Sequence, residues 1–134
     1  MEDSVAPLLS HEGTIIFVDH PRPTRLTTTA HARDYFDAVV RYWRAHVSPA
    51  RATFIVNYAN LSTDPSLKGV YSDQVARINT ECAELIVRYG GDPTQRTMAR
   101  VVGIRLQTPS RVFDTREQAM AFVRSRKSGA AKER

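Results

Sequence analysis

Phe54-Ile55-Val56-Asn57-Tyr58-Ala59-Asn60-Leu61-Ser62-Thr63-Asp64-Pro65-Ser66 is the stretch whose reading decides the fold. Phe54, Ile55 and Val56 are aromatic or β-branched in unbroken succession, as in a strand covered on both faces. A polar loop follows, and Asp64-Pro65 then opens a helix. Asp accepts from the free N–H groups of a first turn, and Pro at the first helical position has no N–H to lose. A strand that runs through a short loop onto a helix is the unit of an α/β sheet. Sites in such sheets form at the carboxyl ends of the strands, so the loop over 57–66 is the first place to look for a functional surface.

Working outward, the same unit recurs. Residues 14–18 (Thr-Ile-Ile-Phe-Val) predict a strand ending at His20-Pro21-Arg22-Pro23, where neither proline can donate to a ladder. Residues 5–9 offer an edge strand. Thr27, Thr28 and Thr29 offer caps for a helix to about Val47, with Ala32, Phe36, Val39, Val40, Trp43 and Val47 on one apolar stripe. Asp37 and Arg41 are spaced as an (i, i+4) ion pair. A strand over 52–58 follows, then a helix from Pro65 or Ser66 that buries Leu67, Val70, Tyr71, Val75 and Ile78. A strand over 84–89 meets a Gly90-Gly91 turn. Asp92-Pro93, with Gln95 in the capping-box place, starts another helix carrying Met98, Val101 and Val102 on its apolar side. Residues 110–113 give a short strand, and Thr115-Arg116-Glu117-Gln118 opens a last helix with Ala119, Met120, Phe122 and Val123 inward.

The expectation is an α/β domain of four or five mainly parallel strands alternating with about four helices. It spans 14–124, with an N-terminal arm or edge strand over 1–13 and a basic, disordered tail over 125–134.

The chain has 134 residues and a formal net charge of +5, most of it at one end. Arg124, Arg126, Lys127, Lys132 and Arg134 against Glu133 give a net of +4, which leaves about +1 for the body. A nucleic-acid binder carries its basic face on the folded body, so nucleic acid is not the expected partner. The one cysteine, Cys82, excludes a disulfide within the chain and reads as a packing residue. No secretory pattern opens the sequence and no apolar run reaches membrane-spanning length. A cytoplasmic protein without a membrane span is expected.

Catalytic chemistry finds no purchase in the sequence. His11, His20, His31 and His46 share no metal-ligand spacing with one another or with Cys82, so no metal and no cofactor is expected. No nucleophile elbow and no paired carboxylates are evident. Asn57 and Asn60 read as loop-holding residues through side-chain to backbone bonds, with ligand contact as the alternative. Asp64 reads as a cap. Ser66 is either an ordinary first-turn serine or a phosphosite at a helix N-terminus. Arg88-Tyr89-Gly90-Gly91-Asp92-Pro93 is a turn and cap that can also offer anion contacts through Arg88, Gly90, Gly91 and Arg96.

This order of elements, with Asp64-Pro65-Ser66-Leu67-Lys68-Gly69 at a helix start, resembles the STAS-like family, the anti-sigma factor antagonist-like domains. Asp64 falls on the Asp of that family's Asp-Ser-Ser-Gly signature and Ser66 on its second Ser. Pro65 replaces the first Ser and no Gly follows Ser66, so the kinase-docking pattern is not intact. Val56-Asn57-Tyr58-Ala59-Asn60-Leu61, Arg88-Tyr89 and Thr115-Arg116-Glu117-Gln118-Ala119 resemble the stand-alone bacterial modules and those appended to acyl-CoA transferases. The likeness covers about residues 50–124. It implies a non-enzymatic regulatory or adaptor module that binds a protein partner. The surface would be the loop and helix over 57–80, with Asn57, Tyr58, Asn60, Ser62, Asp64 and Ser66 in contact and phosphorylation of Ser66 as a switch. The alternative it implies is an accessory domain of lipid metabolism that binds a small acidic ligand, an acyl-CoA or a nucleotide. Sheet edges leave room for self-association as a homodimer.

Overall fold

The computed structural model describes residues 5–91, 93, 97 and 111–132. The described chain enters through β1 (Leu8–Glu12), which turns at Gly13 (φ 59°) and pairs antiparallel with β2 (Ile15–Asp19). After β3 (Thr24–Leu26), Thr28 caps α1 (Thr29–His46) by accepting from the His31 N–H. Next come β4 (Ala52–Asn57) and β5 (Leu61–Thr63). A single 3-10 turn, Pro65–Leu67, leads into α2 (Lys68–Glu81). β6 (Ala83–Tyr89), β7 (Arg111–Phe113) and α3 (Arg116–Lys132) complete the described chain.

The main sheet has the order β1-β2-β4-β6-β7, parallel throughout except for β1. The fold is therefore mixed α/β with a mainly parallel sheet. Period-two alternation gives the sheet two different faces. Ile16, Val18, Phe54 and Tyr58 go to a core shared with Tyr35, Phe36, Val39 and Val40 of α1 and Tyr71, Val75 and Ile78 of α2. Ile55, Val87 and Tyr89 go to the opposite side, where Ala119 and Val123 of α3 close over them. No helix among the described residues is long and apolar enough to cross a membrane.

Several expectations need correction. The edge strand lies at Leu8–Glu12 rather than 5–9, because its register is set by the Gly13 turn against β2. The described residues carry three helices where about four were expected, and the helix expected after Asp92-Pro93 falls outside them apart from helical Pro93 and Thr97. α3 continues to Lys132, past the expected domain end at 124, through residues such as Ala, Arg and Lys that favour helix. Asp37 pairs not with Arg41 but with Arg77 of α2, at 2.6 Å, which ties the two helices together. Trp43 and Val70 are only half-buried, and the Trp43 indole N–H donates to the Ala50 carbonyl at 2.9 Å.

The loops after β2 and β4 are not plain loops. β3 and β5 form a separate two-stranded parallel ladder above the carboxyl ends of the main strands. The Thr24 N–H donates to the Asn60 carbonyl (2.7 Å), and the Asp64 N–H to the Leu26 carbonyl (2.9 Å). Leu26 and Leu61 are buried beneath it.

Candidate functional site

In β6 the residues alternate, so Arg88 faces the same side as Ile86, toward α1 and α2. That side is otherwise the apolar core, yet Arg88 is only 6 % exposed. It sits beside a cavity of about 40 Å³ between the sheet (Val18, Phe54, Val56) and the helices (Tyr35, Phe36, Tyr71). Val56 and Ile86 lie on inner strands and face the helices but stay half-buried, so the helices do not close fully over them.

Hydroxyl groups surround the guanidinium. Tyr58, just past β4, and Tyr71, in the first turn of α2, turn their hydroxyls to Arg88, and their own oxygens are 3.1 Å apart. Burial alone would favour loss of the Arg88 charge, but these two oxygens more than offset it and hold the group protonated. Burial also pushes the Tyr71 and Tyr35 phenols well above their ordinary range, so both stay neutral donors. Among the described residues no carboxylate faces Arg88.

A second polar chain adjoins this one. The ring of His20, at the end of β2, stacks on Tyr35, with centroids 5.7 Å apart. Its Nδ1 lies 2.7 Å from the Asn57 carbonyl, which can only accept, so Nδ1 carries the proton. Nε2 then accepts from the Tyr35 hydroxyl at 2.8 Å. Burial lowers the His20 pKa below 6.5 despite the Asn57 bond and nearby Asp19, and the neutral ring fits this pattern.

The residues expected at the site divide into three groups. Asn57 and Asn60 build the loop: the Asn57 side chain accepts from the Ala59 N–H (2.9 Å), and the Asn60 amide donates to the His20 carbonyl (2.9 Å). Asn60 does this at φ 67°, a left-handed conformation that Asn tolerates well. Asp64 caps as expected, accepting from the Ser66 N–H at 2.9 Å, and those bonds to Ser66 lower its pKa. Ser62 is half-buried in β5, while Asn60 and Ser66 are exposed. Tyr58 is 1 % exposed, so it belongs to the core and cannot form part of a partner-binding surface.

The third group is the turn after β6. Gly90 and Gly91 take φ 71° and 76°. A Cβ at Gly91 would lie 2.5 Å from that of Tyr58, so the turn is pressed against the core. The Gly90 N–H is committed to the Phe113 carbonyl at 3.2 Å, not open to an anion. Arg96 lies outside the described residues. Of the residues expected to offer anion contacts, Arg88 lies inside the core rather than on a turn.

From the sequence Tyr71 is one of an apolar stripe, His20 is a strand end without metal-ligand spacing, and Tyr35 carries no signal; the meeting of their hydroxyls and ring comes only from packing. Among the described residues no group of three or more His, Cys, Asp or Glu side chains could hold a metal. Burial pushes the Cys82 thiol up to about 11, away from reactivity.

No family model matches this chain, and neither a curated protein nor a solved structure does.

Proposed function

We propose that this protein is a non-enzymatic binding module that holds a small anion against Arg88, beside the carboxyl ends of β4 and β6. One observation carries the reading: a buried guanidinium faces tyrosine hydroxyls, with no carboxylate opposite it among the described residues. Burying a charge costs several kcal/mol in desolvation, a cost that an apolar side chain of similar length does not carry. Stability alone would favour Ile, Leu or Met at such a position. An anion in the adjoining cavity would complete the site, accepting from Arg88 and from whichever of the Tyr58 and Tyr71 hydroxyls does not donate to the other.

This is the small-acidic-ligand reading of the sequence, and it sits naturally with an accessory domain of the STAS-like kind. The test is a thermal-shift screen of wild type and Arg88→Met against CoA thioesters, nucleotides, carboxylates and phosphates at millimolar concentration. A ligand at about 100 times its Kd stabilises by about 2.7 kcal/mol. A shift in wild type that vanishes in Arg88→Met is the expected result. No shift with any anion overturns the proposal.

A regulatory module that captures a protein partner is the second reading, favoured by the exposed Asn60 and Ser66 on the rim. The Ser66 switch has an obstacle: the carboxylate of Asp64 already occupies the Ser66 N–H that a phosphate would use. Pull-down with the Asn60→Ala/Asp64→Ala double variant tests the rim, and capture equal to wild type removes it as a partner surface. Ser66→Asp tests the switch.

A further inference from the structure

We infer that the ligand held at Arg88 is a monocarboxylate with an apolar body, and not a phosphate ester or another dianion. This rests on the reading of Arg88 as the anion site and adds the chemical class of what fills it.

Charge is the first argument. Among the described residues Arg88 is the only cation lining the cavity, and the neighbouring His20 ring is neutral, with Nδ1 donating to the Asn57 carbonyl and Nε2 accepting from Tyr35. One positive charge balances one negative charge. A dianion would bring a second charge out of water with nothing to meet it, which a buried site does not tolerate.

Size is the second. One water needs about 10–15 Å³ of such space, so a cavity of about 40 Å³ has room for a group of about three heavy atoms. A carboxylate has three heavy atoms, whereas the phosphate of an ester has five, its bridging oxygen included. A planar carboxylate also matches the guanidinium fork, leaving a lone pair for the one hydroxyl of the Tyr58-Tyr71 pair that still has a proton to donate.

The lining is the third. Apart from the hydroxyls and Arg88, the walls are Val18, Phe36, Val39, Phe54 and similar side chains. The half-buried Val56 and Ile86 extend that apolar surface where the helices leave it uncovered. A short aliphatic or aromatic body would lie there, and a sugar or a nucleotide would not.

The experiment is titration calorimetry of the full chain at pH 7.5 with butanoate, hexanoate, benzoate, butyl phosphate and neutral hexanamide. Hexanoate and benzoate should bind, hexanamide and butyl phosphate should not, and affinity should rise about fourfold for each CH₂ from butanoate to hexanoate. Arg88→Lys keeps the charge but loses the fork, and should weaken carboxylate binding at least about tenfold. Circular dichroism and a melting curve on that variant separate lost binding from lost folding. Butyl phosphate binding as tightly as hexanoate overturns the carboxylate assignment and leaves Arg88 as an anion site. Carboxylate binding untouched in a folded Arg88→Lys places the site elsewhere and overturns the inference. Silence from all five probes, together with no response in the wider thermal-shift screen, overturns the anion-site reading itself.

Discussion

The two faces of the central sheet are built from the same strands and solve different problems. β6 sends Val87 and Tyr89 to the α3 side, where they join Ile55, Ala119 and Val123 in an apolar cluster. The same strand sends Ile86 and Arg88 to the α1/α2 side, where a charge, three tyrosine hydroxyls and a histidine ring are enclosed beside a cavity. The α3 face follows the ordinary logic of burial, in which apolar area leaves water. The α1/α2 face departs from it at one end, above the carboxyl ends of the strands, where α/β sheets place their ligands. The difference separates residues kept for stability from residues whose presence stability does not explain.

The contrast is broken most severely by Ile55→Ala. Ile55 is 1 % exposed on an inner strand of the plain face, and truncation leaves a cavity costing about 2–5 kcal/mol. Urea unfolding should show a lower midpoint with an unchanged m-value. Gly91→Ala comes next. It meets Tyr58 at 2.5 Å from a left-handed backbone (φ 76°), and about 2–3 kcal/mol of lost stability is expected. Gly13→Ala has the same sign of φ (59°) but no atom within 4 Å, so only the backbone strain of about 1–2 kcal/mol should appear. A Gly91→Ala effect no larger than Gly13→Ala would show that the turn is not pressed on the site.

Arg88→Met sharpens the comparison, because it makes the second face resemble the first. Replacing a buried charge by an apolar side chain of similar length is commonly neutral or stabilising by about 1–4 kcal/mol. The expected outcome is a melting temperature equal to or above wild type, with anion response lost. Loss of about 3 kcal/mol or more would instead make Arg88 a structural residue whose partner is supplied by the protein.

How much of this was legible in the sequence follows from the range of each interaction. β2, β4 and β6 announce themselves through unbroken apolar runs, and α1 through its stripe, because those patterns are local. β3 and β5 are invisible by the same measure. Thr24-Arg25-Leu26 and Leu61-Ser62-Thr63 are too short and too polar to read as strands, and they become a ladder only when the ends of β2 and β4 bring them together. Arg88 is the instructive case. Alternation through Leu85-Ile86-Val87-Arg88 already puts it on the face of Ile86, but the following Gly90-Gly91 drew it into a turn. The clustering of His20, Tyr35, Tyr58 and Tyr71 around it depends on how two helices seat on a sheet, which no spacing rule states.

The smallest expected effect concerns pH, and it tests whether the polar end of the α1/α2 face is as tightly built as its distances imply. Burial holds the His20 pKa below its ordinary 6.5 in the folded protein, against the Asn57 carbonyl and Asp19, which favour the proton. As pH falls, the unfolded chain therefore takes up this proton before the folded one does. The contribution of the neutral ring is fully present above about pH 6.5 and is lost progressively as pH drops from there toward the folded value. Protonation would also put a proton on Nε2, which now accepts from Tyr35, and the Tyr35 hydroxyl would have to turn away. Wild type should thus lose stability between pH 7 and pH 5 more steeply than His20→Gln, whose amide keeps a donor and an acceptor but no titration. Denaturant midpoints at half-unit intervals over that range measure the two slopes. Equal slopes would mean that the ring is reached by water and that this end of the sheet is open even without ligand.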